Sequence, residues 1–198
     1  MISIARFISA ISNPIIISAP FSYILVLNSR GDVSYAIGWT LISMAFSSIV
    51  GFFVFFGVKR GFFSDYDVSK RAERPVLFAF TGFVSILYLL AIFLLNGPQI
   101  LLIGLSALLL GVIIAEIINT KIKASIHLAV FISFAIVLGI LYGGIFWLFL
   151  LLSPVVAWSR IKLKKHELFE TIVGSVVGII IVLMLYIVVK YVLGFYAK

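Results

Sequence analysis

The sequence predicts an all-α, polytopic transmembrane helical bundle, and three observations predict it. First, 64% of the 198 residues are hydrophobic and only 11% charged, with a mean hydropathy of +1.29. A soluble domain uses roughly 45–50% apolar and 25% charged residues, so this excess needs lipid as its solvent. Second, the apolar residues form continuous runs of about helix-spanning length, not the alternating pattern of a barrel strand. Third, polar or Pro/Gly punctuation separates those runs. The length suits one integral membrane domain over residues 1–198.

Seven apolar segments follow in order. The first, about Ile11 to Leu27, is the least regular, with Asn13-Pro14 near its start and Pro20 inside. It is expected to be broken or partly interfacial. The second runs from about Ser34 to Val58, and a polar stretch follows from Lys59 to Pro75. The third, about Val76 to Leu95, ends at the turn signal Asn96-Gly97-Pro98. The fourth covers about Gln99 to Ile118, and the fifth runs from Ser125 to Gly143-Gly144. The sixth, about Ile145 to Trp158, is short and contains Pro154. The seventh runs from about Glu170 to Leu193.

The absence of cysteine excludes disulfides, thiolate metal sites and cysteine nucleophiles. Asn13-Pro14 interrupts the early apolar stretch, so the N-terminus does not read as a cleaved signal peptide. The net charge of +8 points to anionic head groups or a phosphorylated lipid as partner, not to nucleic acid. With seven crossings, the N-terminus and the loops after the second, fourth and sixth segments share one side. That side holds Arg6, Lys59, Arg60, Lys70, Arg71, Arg74, Lys121, Lys123, Arg160, Lys162, Lys164 and Lys165. The other side holds Arg30, Lys190 and Lys198. The asymmetry predicts a cell-membrane protein with its polar loops in the cytoplasm. Lys59, Arg60, Lys162, Lys164 and Lys165 read as topology anchors, and Trp39, Trp147 and Trp158 as interface anchors.

The two histidines, His127 and His166, fall on the basic face, near helix ends and among cations. Phosphoryl transfer needs such a set, because fixed cations must hold the spread charge of the transferring group. Arginine grips two of its oxygens at once. One imidazole attacks phosphorus, a second protonates the leaving oxygen, and a carboxylate fixes the nucleophile's tautomer. Glu170 lies four residues after His166, on the same face if that turn is helical. Glu116 and Asn119, near the end of the fourth segment, are further polar groups, either functional candidates at membrane depth or groups that simply reach the interface.

Ser159-Arg160, five residues, His166, three residues, Glu170 resembles the third motif of the type 2 phosphatidic acid phosphatase superfamily, which also holds the vanadium haloperoxidases. That motif ends in Asp. Ala124-Ser125-Ile126-His127 resembles the second motif, Pro-Ser-Gly-His, and Arg74-Pro75 the end of the first, Lys, six residues, Arg-Pro. The motifs stand in family order over about residues 59–180. The departures are Asp67 at the place of the first motif's lysine, Ala124 and Ile126 in the second motif, and Glu170 for Asp. The resemblance implies a six-helix phosphatase core with one additional N-terminal segment. It also implies metal-independent hydrolysis, with no cofactor, of a lipid phosphate or diphosphate monoester. By the same resemblance His166 is the nucleophile, Glu170 orients it and His127 is the general acid. Arg160, Arg74, Ser125, Lys70 and Lys123 hold the phosphate.

Two other function classes stand beside this one. Ser64-Asp65-Tyr66-Asp67 followed by Arg74-Pro75 resembles the aspartate-rich motif of Mg²⁺-dependent intramembrane prenyltransferases. A non-enzymatic membrane protein or transporter is the third. Ser125 and Glu170 also have simpler readings, as a helix N-cap and a first-turn acid.

Overall fold

The computed structural model describes residues 1–187, 189 and 190, so Lys198 and the end of the seventh segment lie outside the described residues. The described elements are helices joined by short connections: α1 (Ile2–Ile11), α2 (Pro14–Arg30), α3 (Val33–Lys59), α4 (Arg74–Leu94), α5 (Gln99–Asn119), α6 (Ile126–Tyr142), α7 (Ser153–Lys162) and α8 (Leu168–Ile187). A 3₁₀ turn (Arg71–Glu73) leads into α4, and a 3₁₀ segment (Gly144–Leu152) runs straight into α7. Five of these stretches are long and apolar enough to cross a bilayer, and the α1–α2 pair, bent by 43°, makes a sixth by length and composition. Large apolar side chains such as Phe52, Phe83, Leu94 and Ile113 face outward. In water that surface would associate; around a bundle this apolar it is the lipid-facing belt. The chain is a multi-pass helical membrane protein.

The irregular first segment resolves into two helices. Asn13 turns the chain between them: its side-chain oxygen accepts the Ile15 N–H at 2.9 Å, and Pro14 follows at the start of α2. α1 is amphipathic. Ala5 and Ser9 are buried on one side, while Ile4, Phe7 and Ile11 are exposed on the other. It packs against α7. α1 is therefore the element the sequence reading left out, because ten residues with a charge at Arg6 do not register as a span.

α6 is the most enclosed helix, with eight of its seventeen residues buried. Its tightest partner is α8. An added Cβ at Gly174 would stand 2.3 Å from the Ser125 carbonyl oxygen, and one at Gly178 would stand 2.4 Å from that of Ala129. Gly174-x-x-x-Gly178 is thus a small-residue stripe that lets two backbones touch, the means by which helices associate where lipid removes any hydrophobic drive. Leu128, Ile132, Ile136, Val156 and Val182 form the core between α6, α7 and α8. A second core, centred on Val26, Trp39, Tyr88 and Ile92, joins α2 to α5 at the opposite end.

Candidate active site

Three loops far apart in sequence meet on one face of the bundle. The Asn119 side-chain amide donates to the Arg71 carbonyl at 3.2 Å, and Arg71 donates to the Lys121 carbonyl at 2.9 Å. Arg74 donates from Nη1 to the Ala124 carbonyl at 2.8 Å and from Nε to that of Val68 at 3.3 Å. The Ser125 N–H donates to the Glu170 carbonyl at 3.0 Å, across the α6–α8 contact. Lys165 Nζ lies 3.3 Å from Asp65 Oδ2. The loops before α4, α6 and α8 are thereby laced together, with α1 lying alongside.

His166 sits just ahead of α8 and Glu170 in its first turn, so the four-residue spacing brings them together. His166 Nδ1 is 2.8 Å from Glu170 Oε2. A carboxylate only accepts, so Nδ1 carries the proton and Nε2 keeps its lone pair. Glu170 also accepts the Glu167 N–H at 3.2 Å, and Lys123 Nζ is 3.5 Å from the same oxygen. It is both a helix cap and an orienter. The His166 imidazole is pushed well below its ordinary pKa, first by burial and then by the charges of Arg74, Arg160, Lys123 and His127. The ring is therefore neutral at neutral pH and surrounded by cations.

Arg160 and His127 form the other half of the cluster. Arg160 is only 1% exposed and Arg74 4%, which is unusual for arginine unless it is paired or waiting for an anion. Arg160 Nη1 donates to the Ser9 hydroxyl of α1, and it lies 3.3 Å from Asp67 Oδ2. The other Asp67 oxygen is 3.7 Å from His127 Nε2, while His127 Nδ1 is 3.5 Å from the Ser12 hydroxyl. Burial alone would raise the Asp67 carboxyl, but His127, Arg160 and Lys165 outweigh it and hold it well below the usual carboxylate range. Within this cluster two buried polar atoms have no partner among the described residues: Arg160 Nε and Ser125 Oγ. Ser125 occupies the N-cap position of α6, yet its hydroxyl makes no cap bond.

Of the residues expected from the sequence, His166, Glu170, Lys123, His127, Ser125, Arg74 and Arg160 all converge here. Lys70 does not: its side chain is 70% exposed and pairs with Glu73 at 3.7 Å. The 3₁₀ turn at Arg71–Glu73 carries it outward. Lys165, expected as a topology anchor, pairs with Asp65 and Asp67. Ser9 and Ser12 carry no signal in the sequence, since serines are common in apolar helices. Glu116 Oε2 and Asn119 Oδ1 are buried without a partner among the described residues. No group of three or more His, Asp or Glu side chains among those residues is placed to hold a metal ion. An open cleft of about 500 Å³ reaches this face, lined by Arg6, Ser9, Asn13, Asp67 and Lys165 among others. Comparison with protein-family models, with curated proteins and with solved structures finds no match.

Proposed function

We propose that this chain is a membrane lipid phosphatase that hydrolyses a phosphate or diphosphate monoester of a phosphatidate-like or polyprenyl lipid. The observation that carries the reading is a neutral, carboxylate-oriented imidazole beside two buried arginines and a second histidine. The resemblance of the three ordered motifs supports the same chemistry. In the first step, Nε2 of His166 attacks the terminal phosphorus, the bond to the leaving oxygen breaks (that of the lipid alcohol in a monophosphate, of the inner phosphate in a diphosphate), and His127, entering the step protonated, gives that oxygen its proton. The positive charge arising on the His166 ring is stabilised by Glu170 at Nδ1. In the second step, His127 takes a proton from water, the water oxygen attacks phosphorus, and the P–N bond breaks to release inorganic phosphate. Arg74, Arg160 and the Ser125 hydroxyl supply the electrostatic hold.

The test is phosphate release from such lipids by the purified protein in detergent, with and without a chelator. Protein exposed to phosphorus-radiolabelled substrate and quenched in alkaline denaturant is expected to carry label that survives alkali and is lost on later acid treatment, as a phosphohistidine requires. Absence of both release and labelling refutes the reading. The prenyltransferase reading predicts loss of activity in chelator. It is less well supported, because Asp65 and Asp67 face Lys165 and Arg160 and not other acidic ligands.

The pH dependence has a definite sign. Protonated imidazole has no lone pair, so activity is lost as pH falls through the His166 pKa. That value lies below the ordinary 6.5. The acid limb of kcat/KM, which reports the free enzyme, is expected below that pH. A profile on a short-chain, soluble phosphate ester measures it, and an acid limb above 6.5 contradicts it.

A further inference from the structure

Asp67 stands where the resemblance calls for a lysine, and its surroundings are those of a bound oxyanion. One carboxylate oxygen lies 3.3 Å from Arg160 Nη1 and 3.7 Å from Lys165 Nζ; the other lies 3.7 Å from His127 Nε2. Of these, Arg160 is assigned above to hold the phosphate and His127 to protonate its leaving oxygen. Asp67 and Lys165 line the open cleft, whereas Arg160 and both histidines do not. The carboxylate therefore lies between the cleft and the reacting groups. Arg160 Nε and Ser125 Oγ are buried without a partner among the described residues. The neighbouring residue, Val68, is buried and has φ +46°, an uncommon backbone for a β-branched side chain. Its side chain is held in a small cluster with Val54 and Phe63.

A second anion cannot settle on Arg160 and His127 while Asp67 is there, because like charges at such separations repel strongly. Equally, a buried arginine left without a counter-ion is costly. We propose that Asp67 is an internal occupant of the phosphate seat. Its carboxylate neutralises Arg160 between turnovers, is displaced by the incoming phosphate group, and returns to expel inorganic phosphate. Displacement frees the loop around Asp67, with Lys165 able to follow through its pair with Asp65. Any ligand's apparent affinity is then reduced by the fraction of time the seat is open. The nature of the displacing anion rests on the phosphatase reading; the displacement itself rests on the geometry.

The experiment measures binding of orthovanadate and inorganic phosphate to the full chain in detergent, comparing wild type with Asp67→Asn. The variant keeps the side-chain shape and removes the charge. It is expected to bind both oxyanions at least about tenfold more tightly, with product inhibition by phosphate strengthened by a similar factor. Equal or weaker binding overturns the proposal, as does no binding by either protein. A wild-type measurement covers the case in which the variant does not fold. On saturation with vanadate, amides 64–69 are expected to exchange hydrogen faster; slower or unchanged exchange overturns the proposal. Lipid turnover separates the two ideas. Hydrolysis by wild type without a gain in Asp67→Asn removes only the internal occupant. A gain in Asp67→Asn without hydrolysis by wild type removes only the phosphatase.

Discussion

His166→Ala is expected to abolish phosphate release, by roughly 10⁴-fold or more in kcat, while leaving the bundle folded. Among the described residues, the imidazole is the only group at the site that has both a free nitrogen lone pair and a carboxylate held 2.8 Å from its other nitrogen. No neighbouring group replaces it, because Arg74, Arg160 and Lys123 are cations and His127 is placed against Asp67. Glu170→Gln tests the same pair from the other side. The amide presents a donor or a neutral acceptor, so the ring loses the partner that fixes its tautomer and stabilises its charge. A loss of about 10²–10⁴-fold in kcat follows, with KM little changed. Glu170→Asp retains the charge and is expected to recover part of that loss. Steady-state kinetics on one lipid phosphate, with thermal unfolding in detergent as a folding control, decides it. Full activity in His166→Ala refutes the mechanism.

The second large effect is at the α6–α8 contact. Gly174→Ala places a Cβ 2.3 Å from the Ser125 carbonyl oxygen and 3.0 Å from its backbone nitrogen and carbonyl carbon. These are backbone atoms at a helix start and cannot yield by a rotamer change. α8 must move outward, at a cost of about 1–3 kcal/mol typical of overpacking, and valine should be worse. The shift acts directly on the site, because it parts the Ser125 N–H from the Glu170 carbonyl and carries His166 and Glu170 away from Ser125 and His127. Both the unfolding midpoint and kcat are expected to fall. Gly82→Ala is the control: a Cβ there meets nothing within 4 Å, and alanine favours the helix. Equal behaviour of the two variants would remove the close contact from the account.

The fold class and most of the helix positions were legible because each depends on apolar residues summed along a short window. Apart from the break at Ser12-Asn13 and the bounding Ser125 and Gly143, the seven segments expected between Ile11 and Leu193 are helical in their described parts, with ends within a few residues of those expected except at Lys162. Asn13-Pro14 marked a break, and the chain does turn there. The break was legible, but the helix ahead of it was not, because α1 draws its order from packing on α7 and not from its own length. At the site, the His166–Glu170 pair could be read from its four-residue spacing, although His166 stands just ahead of α8 and not on a helical turn. The exclusion of Lys70 could not, since a 3₁₀ turn decides which way that side chain points.

By itself the sequence determined a helical membrane bundle and the polar residues available to its basic face. Transfer to lipid adds up locally along the chain, so those features need no knowledge of neighbours. Only the tertiary structure decided that Arg160 meets Ser9 across 151 residues, that His127 meets Ser12 across 115, and that Asp67 reaches Arg160 across 93. Contacts such as these depend on how helices cross and how closely two glycines let them approach. An error of one helical turn there would separate charges that now lie within 4 Å.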